Sequence, residues 1–336
     1  MIPAPYPNGS VDRATLLQRL GELDPTTLAA PNLSPAMVRE TWRAALSGFD
    51  SPPRGLDLRG KIVVLVGAAT VYTALLPWLV LLAEAGATVR VKPAQGQERW
   101  VAVLAAITGA TIYCWRGGDE ESEAVALRCA DAVLAFGSDE TIAALRARVP
   151  SGALFFGFGA RFGLAYAAKL GAKEIGGLVR DVALYDTDGC MSPVGLLTPA
   201  AIDVGTLDAL AEAMQAAEQR WPRGLISAEA AATIRARVFL ARAFGQVREG
   251  PAWTVIQLPA RFFSPIALPR VLTVYPADAL TDLGPHAHLL GTVAGDAPTA
   301  KIPRRCALGE MQSPPHDGTH EGVDVLGPIA RAAGEL

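Results

Sequence analysis

Between Lys61 and Gly159 one pattern recurs: a short apolar run, a turn, then about ten residues with helical spacing. The runs Ile62 to Val66, Ala87 to Val91, Thr111 to Trp115, Ala132 to Ala135 and Ala153 to Phe156 read as strands. The stretches Ala74 to Glu84, Glu98 to Ile107, Glu121 to Ala130 and Asp139 to Arg148 read as helices. Short apolar strands separated by helices imply an α/β fold built on a parallel, doubly wound sheet. Such sheets bind nucleotides at the carboxyl ends of their strands, so the residues just after each strand carry most of the functional interest.

A chain of 336 residues is long for one domain and suits two. With 51% hydrophobic and 19% charged residues it has the composition of a globular protein. Net charge is −3 and no basic run occurs, which sets nucleic acid aside as a partner. Cys114, Cys129, Cys190 and Cys306 lie far apart, with neither a CxxC pair nor histidines at metal-ligand spacing, so no zinc site and no disulfide framework is expected. The start MIPAPYPNGSVDR lacks the basic and apolar regions of a secretory signal; the expectation is a cytoplasmic, reducing location where thiols stay free. The segment Ile62 to Ala87 is nearly charge-free, but Gly67, Thr70, Tyr72, Thr73 and Pro77 interrupt it. It reads as a buried strand, a turn and a buried helix, with no membrane span.

Four regions are expected. Residues 1–58 form an N-terminal helical arm, with Pro3, Pro5 and Pro7, helices at Val11 to Gly21 and Ser34 to Leu46, and a Ser51 to Gly55 linker. Residues 59–159 form a dinucleotide-binding domain. Residues 160–295 form a second α/β domain, with helices Ile175 to Leu184, Val204 to Gln219 and Ala228 to Phe244 and strands Trp253 to Leu258, Val271 to Val274 and Leu289 to Val293. Residues 296–336 form a C-terminal segment with a helix from Val323 to Ala333.

Several residues could carry chemistry. Lys92 follows the second strand, where a lysine can reach a ribose hydroxyl or a phosphate; the alternative is a solvated loop lysine. Gly137-Ser138 opens a helix after the fourth strand, where backbone amides can accept a pyrophosphate, or Ser138 or Asp139 can simply cap the helix. The first strand-helix turn is Gly67-Ala68-Ala69-Thr70, so the GxGxxG fingerprint is absent. Cys190 sits in the turn-rich Asp186-Thr187-Asp188-Gly189-Cys190-Met191-Ser192-Pro193. It is either a nucleophile or a small core residue. Ser192-Pro193 hints at a helix start whose dipoles would lower the thiol pKa, while Asp186 and Asp188 would cap and hydrogen-bond the turn. His286, His288, His316 and His320 lie in loops, as active-site contributors or as surface histidines without a role.

In order, these segments resemble the aldehyde dehydrogenase superfamily, and within it the acyl-CoA reductases of the bioluminescence fatty-acid-reductase type. The matching stretches are Pro77-Trp78 to Val91-Lys92-Pro93, Ala130-Asp131-Ala132 to Gly137-Ser138, Gly157-Phe158-Gly159-Ala160-Arg161-Phe162, Gly189-Cys190-Met191-Ser192-Pro193 and Gly309 to Gly318. The resemblance implies a dinucleotide domain and a catalytic domain. Cys190 would attack an acyl thioester, from CoA or another carrier, and a reduced nicotinamide would release the aldehyde. Lys92, Gln95, Gly137, Ser138 and Gly159 would contact the cofactor.

The departures from that pattern also inform. Gly157 stands where oxidising members carry a glutamate base, which favours thioester reduction over aldehyde oxidation. The oxyanion-hole asparagine falls near Ala69 or Thr70, leaving Thr70 as the donor. Gln95 replaces a ribose-binding carboxylate, and with Arg90 and Arg99 nearby it points to NADPH, with NADH the alternative. The cluster Phe155, Phe156, Phe158 and Phe162 could line a hydrophobic tunnel or fill a core. Two other functions compete: a non-catalytic relative that binds acyl groups, a cofactor or a partner enzyme, and an oxidising aldehyde dehydrogenase. The quaternary state is open between a homo-oligomer and a complex with a partner enzyme.

Overall fold

A computed structural model describes residues 11–27, 32–50, 54–276, 280–298 and 302–334. Pro3, Pro5, Pro7 and residues 51–53 of the expected linker lie outside the described residues. The chain forms two compact units. The first comprises Met1–Ala30, Ala45–Ala160 and Pro315–Leu336, and the second Pro31–Ala44 and Arg161–Pro314. The residues set off as an N-terminal arm are therefore divided between the units, and the C-terminal segment is divided at Pro314.

Two helices come first, α1 (Arg13–Gly21) and α2 (Pro35–Ser47). Asp12 caps α1 by accepting from the Thr15 N–H at 3.1 Å, and Ser34 accepts from Met37 N–H at 3.4 Å. The first unit then alternates β1 (Ile62–Val66), α3 (Leu76–Glu84), β2 (Thr88–Lys92), α4 (Glu98–Thr108), β3 (Thr111–Ile112), α5 (Glu120–Leu127), β4 (Ala132–Phe136), α6 (Asp139–Arg146) and β5 (Leu154–Phe158). All pairings are parallel and the strand order is β3-β2-β1-β4-β5, the expected doubly wound sheet. The central strands β1 and β4 are buried almost throughout, as their unbroken apolar sequences require of a sheet covered on both faces. The charge-free stretch resolves into β1, a turn and the nine-residue α3, seven of whose residues are buried. A helix spanning a bilayer needs about 20 residues, and among the described residues no helix is long and apolar enough to cross a membrane. β3 is shorter than its apolar run, because it lies at the sheet edge and has only β2 to pair with.

The second unit contains β6 (Phe162–Tyr166), α7 (Ala172–Ala183), β7 (Pro193–Thr198), α8 (Val204–Arg220), α9 (Ala228–Phe244), β8 (Gln246–Glu249), β9 (Thr254–Gln257), β10 (Val271–Pro276), β11 (Leu290–Gly295) and β12 (Arg304–Cys306). They form a seven-stranded sheet of order β12-β11-β6-β7-β10-β9-β8, parallel except for β8. On one face Phe162, Leu164, Val194, Val271 and Tyr275 form a core with Val238 and Ala241 of α9. The chain then completes the first unit with the hairpin β13 (Thr319–His320) and β14 (Val323–Asp324) and the helix α10 (Leu326–Gly334). The last helix begins three residues later than its apolar pattern, because Val323 pairs in the hairpin and Asp324 accepts from the Gly327 N–H at 3.1 Å.

Candidate active site

In the second unit α7 ends at Ala183, and three consecutive residues then take left-handed backbone: Tyr185 (φ 64°), Asp186 (φ 49°) and Thr187 (φ 67°). For residues with a Cβ this costs on the order of 1–2 kcal/mol each, so neighbouring structure must hold it. Arg270 does so. Fully buried, it places Nη2 2.6 Å from Asp186 Oδ1 and donates through Nε to the same oxygen at 2.8 Å; its backbone N–H donates to the Asp186 carbonyl at 3.3 Å. Its remaining donors reach the carbonyls of Trp221 (2.9 Å) and Ala183 (3.2 Å) and the Glu218 carboxylate (3.1 Å). The second Asp186 oxygen accepts from Gly224 N–H at 2.8 Å. Burial pushes the Asp186 carboxyl upward, opposed by the Arg270 charge and the Gly224 amide. Asp186 thus faces inward as half of a buried ion pair, where the sequence suggested a local turn cap.

Two tight turns follow, in which the Asp188 N–H donates to Tyr185 C=O at 2.9 Å and the Ser192 N–H to Gly189 C=O at 2.8 Å. Cys190 is exposed within the second. A Cβ on Gly189 would lie 3.2 Å from Ser192 Oγ and 3.4 Å from Tyr185 Cβ, so glycine suits this crowded position. Ser192-Pro193 does not start a helix: Pro193 is the first residue of β7, a position that tolerates its missing N–H. The expected helix dipole behind the thiol is therefore absent at this point of the chain.

The far side of the turn is fixed by the stretch 304–312. Gln312 Nε2 donates to Ser192 Oγ at 2.9 Å and to the Asp181 carbonyl at 3.4 Å. The Asp181 carboxylate accepts from Gly309 N–H (2.6 Å) and Met311 N–H (3.1 Å). Burial nevertheless pushes its pKa up to about 7, against those amides and the charges of Arg180 and Arg304. Arg304 contacts Met191 Sδ at 3.4 Å and donates to the Met311 carbonyl at 2.8 Å. Gly163 of β6 packs so closely that a Cβ there would fall 2.7 Å from the Met191 carbonyl. None of Arg270, Asp181 or Gln312 emerged as a candidate from residue chemistry. Arg270 was the most discoverable, as a lone cation immediately before an apolar strand.

Three of the four phenylalanines read as a cluster have defined packing partners of their own. Phe155 packs on the first unit's core beneath Arg146, and Phe158 stacks on Phe136 at 5.2 Å; Phe162 lies in the second unit, 6.3 Å from Phe263. An apolar groove of about 260 Å³ does occur in the second unit. Val194, Leu240, Ile266 and Val271 line it, with Arg237 and the Tyr275 hydroxyl hydrogen-bonded to each other in its wall.

In the first unit the sheet order reverses between β1 and β4, and the residues that leave those strands are Gly67 and Gly137. Thr70 and Gln95 are exposed in the loops after β1 and β2. Lys92 places Nζ 5.7 Å from the Trp115 ring centroid, and its carbonyl accepts from Gly67 N–H at 2.9 Å. Gln97 ties the two loops together by donating to the Ala69 carbonyl at 2.6 Å. Ser138 caps α6, accepting from Thr141 N–H at 3.3 Å. Asp139 accepts from Ala160 N–H at 3.1 Å, and a Cβ on Gly159 would stand 1.8 Å from that Asp139 oxygen. A Cβ on Gly67 would lie 2.8 Å from Leu75 Cδ1 and one on Gly137 3.4 Å from Thr141, so packing within their own loops accounts for both crossover glycines; a dinucleotide at this sheet edge would meet the loops after β1 and β2. The α6 terminus fits a phosphate poorly, since Asp139 and Glu140 already place negative charge in its first turn.

Two further expectations change. Arg90 is not available to a 2′-phosphate, because its guanidinium donates to the carbonyls of Ala126 (2.8 Å) and Arg128 (2.6 Å) at the end of α5. His316 is buried, with Nε2 2.7 Å from the Ala45 carbonyl and its ring edge-on to Phe49; His320 packs 4.4 Å from Phe158. Both read as packing residues. Among the described residues no group of histidine, cysteine or acidic side chains could hold a metal ion.

The family model of acyl-CoA reductase (LuxC) matches residues 103–289, more than half of the chain. The chain belongs to that family. It is accordingly an acyl-CoA reductase, an oxidoreductase of the aldehyde-forming type. No curated protein matches it significantly. Solved structures of the aldehyde dehydrogenase fold match it at low identity. An NAD-dependent benzaldehyde dehydrogenase from Corynebacterium glutamicum aligns with TM-score 0.61 and 12% identity over 84% of this chain and 75% of its own. An E. coli NADP-dependent enzyme aligns with TM-score 0.61 and 14% identity over 85% and 73%. A Mycobacterium tuberculosis aldehyde dehydrogenase complexed with NAD+ aligns with TM-score 0.59 and 13% identity over 85% and 72%. The acyl-CoA reductase therefore has the aldehyde dehydrogenase fold.

Proposed function

We propose that this acyl-CoA reductase converts an acyl thioester to an aldehyde through a covalent acyl-cysteine on Cys190. The observation that carries the proposal is the presentation of Cys190: an exposed thiol in a turn that buried groups hold at both ends. Nucleophilic catalysis asks for this arrangement, a reactive atom accessible to substrate on a backbone that cannot drift. Cys190 loses its proton and Sγ bonds to the thioester carbonyl carbon. The bond from that carbon to the leaving sulfur then breaks, and the carrier departs as a thiol once protonated. A reduced nicotinamide dinucleotide, when bound, supplies the hydride that takes the acyl group to the aldehyde. Cys190 is then released as the thiolate. The backbone N–H of Cys190 and the Thr70 hydroxyl are the proposed oxyanion donors.

Gly157 supports reduction over hydrolysis. A Cβ at this position would lie 2.5 Å from Ile142 and 2.7 Å from Phe155, so packing fills the place where a glutamate base would stand. Without a base to activate water, the acyl-enzyme persists long enough to be reduced. Lys92, Gln95 and Gly159 are the proposed cofactor contacts, while Gly137 and Ser138, at the acidic start of α6, keep the helix-capping role. Neutral Gln95 with exposed Arg99 favours NADPH.

The experiment is turnover of acyl-CoAs of several chain lengths with NADPH and with NADH, followed by nicotinamide absorbance and aldehyde trapping, beside Cys190→Ala. Aldehyde formation that vanishes in Cys190→Ala is the expected result, along with a stable acyl adduct on Cys190 when cofactor is withheld. Turnover that survives the substitution overturns the assignment.

A further inference from the structure

We infer that Arg270 is a positioning residue for Cys190 and acts through Asp186; the inference rests on the reading of Cys190 given above. Asp186 and Arg270 lie 84 residues apart in sequence, and both have left-handed backbone, with φ 49° and 57°. One backbone hydrogen bond and two side-chain contacts join these strained positions away from water. Stability alone does not account for such a pair, because well-packed apolar residues commonly serve a core as well or better than buried charges. The pair confers direction. Arg270 holds one Asp186 oxygen and Gly224 the other, so the carboxylate cannot rotate without losing a buried partner.

From Asp186 the constraint passes along the chain to the thiol. The Tyr185 carbonyl closes on Asp188 and the Gly189 carbonyl on Ser192, so residues 185–192 are two consecutive tight turns with little slack. Gln312 pins Ser192 at the other end. A change of backbone angle at Asp186 therefore moves Cys190, because the far end is fixed. Displacing a nucleophile by roughly 1 Å can lower the rate about 100-fold. Arg270 touches no substrate in this scheme.

The test compares Arg270→Lys and Asp186→Asn with Leu210→Ala, which truncates a buried side chain of α8 outside the turn. Three quantities are measured on folded protein: kcat, KM for acyl-CoA with NADPH, and the pH profile of Cys190 alkylation by iodoacetamide, read on the Cys190 peptide by mass spectrometry. The expected result for both brace variants is a kcat about tenfold or more below wild type, KM changed less than about threefold, and a displaced alkylation profile. Leu210→Ala should lose stability while keeping both kcat per folded molecule and the profile. The inference is overturned if the brace variants behave like Leu210→Ala. It is equally overturned if neither brace variant folds, because Arg270 and Asp186 would then be folding determinants. A Cys190→Ala enzyme that still turns over would sink the nucleophile reading instead, while the alkylation profile would still report whether Arg270 positions the thiol.

Discussion

Gln312 donates from Nε2 to Ser192 Oγ across 2.9 Å, joining chain segments 120 residues apart at a buried point two residues from Cys190. Removing only one partner of such a bond strands a polar group away from water, which costs about 1–3 kcal/mol. Gln312→Leu should therefore lower unfolding stability by that amount in urea titrations, and Ser192→Ala by less. The double variant should be more stable than the sum of the two losses, since replacing both partners removes the stranded group. Strict additivity would mean that the bond does not contribute.

Gly159 and Asp139 give a sharper test of a proposed cofactor contact. A methyl at 159 would overlap the Asp139 carboxylate, at 1.8 Å from its oxygen. Gly159→Ala should destabilise the protein by about 1–3 kcal/mol through overpacking. Adding Asp139→Ala removes the obstacle and should recover most of that loss. If Gly159 also lies against the dinucleotide, the double variant will still show a raised KM for the cofactor. A normal KM would leave Gly159 with the packing role alone.

The parallel sheet of the first unit was legible because its strands are short, apolar and evenly spaced, a pattern set by burial on both faces. β6 was not, because Phe162-Gly163-Leu164-Ala165-Tyr166 carries the periodicity of neither a strand nor a helix clearly, and its burial comes from β7 and β11 on either side. Cys190 could be singled out as a thiol in a turn, but its support could not. Arg270, Gln312 and Asp181 reach that turn from distant parts of the chain, and no local pattern encodes such contacts. The cap at Ser138 was readable from three adjacent residues, whereas the role of Arg90 depended on where α5 ends.

Asp181 makes stability depend on pH in a defined direction. Its pKa is about 7 in the folded protein, above the ordinary carboxylate value of 3.8. Its contribution is therefore fully present below about pH 4 and declines as pH rises, because the unfolded chain ionises first; the decline ends near pH 7. Over that window the loss is on the order of a few kcal/mol. Urea titrations at pH 5 and pH 8, on wild type and Asp181→Asn, check this. The variant, which cannot ionise there, should lose less stability between the two pH values than wild type. Equal losses would show that Asp181 titrates outside this range.

Coenzyme choice offers the last test, at Gln95. The side chain is exposed in the turn after β2, followed by Gly96 with φ 84°, so a substitution at 95 has room and leaves the backbone alone. With Arg90 committed to the end of α5, exposed Arg99 is a nearby cation that can offset a 2′-phosphate. Gln95→Glu adds a carboxylate that can accept from a ribose 2′-hydroxyl and that repels a phosphate at the same position. The ratio of kcat/KM for NADPH to that for NADH should fall about tenfold or more, corresponding to roughly 1.4 kcal/mol. Arg99→Ala should lower the same ratio by weakening NADPH while leaving NADH unchanged. An unchanged ratio in both variants would place the 2′ position of the coenzyme elsewhere than beside Gln95.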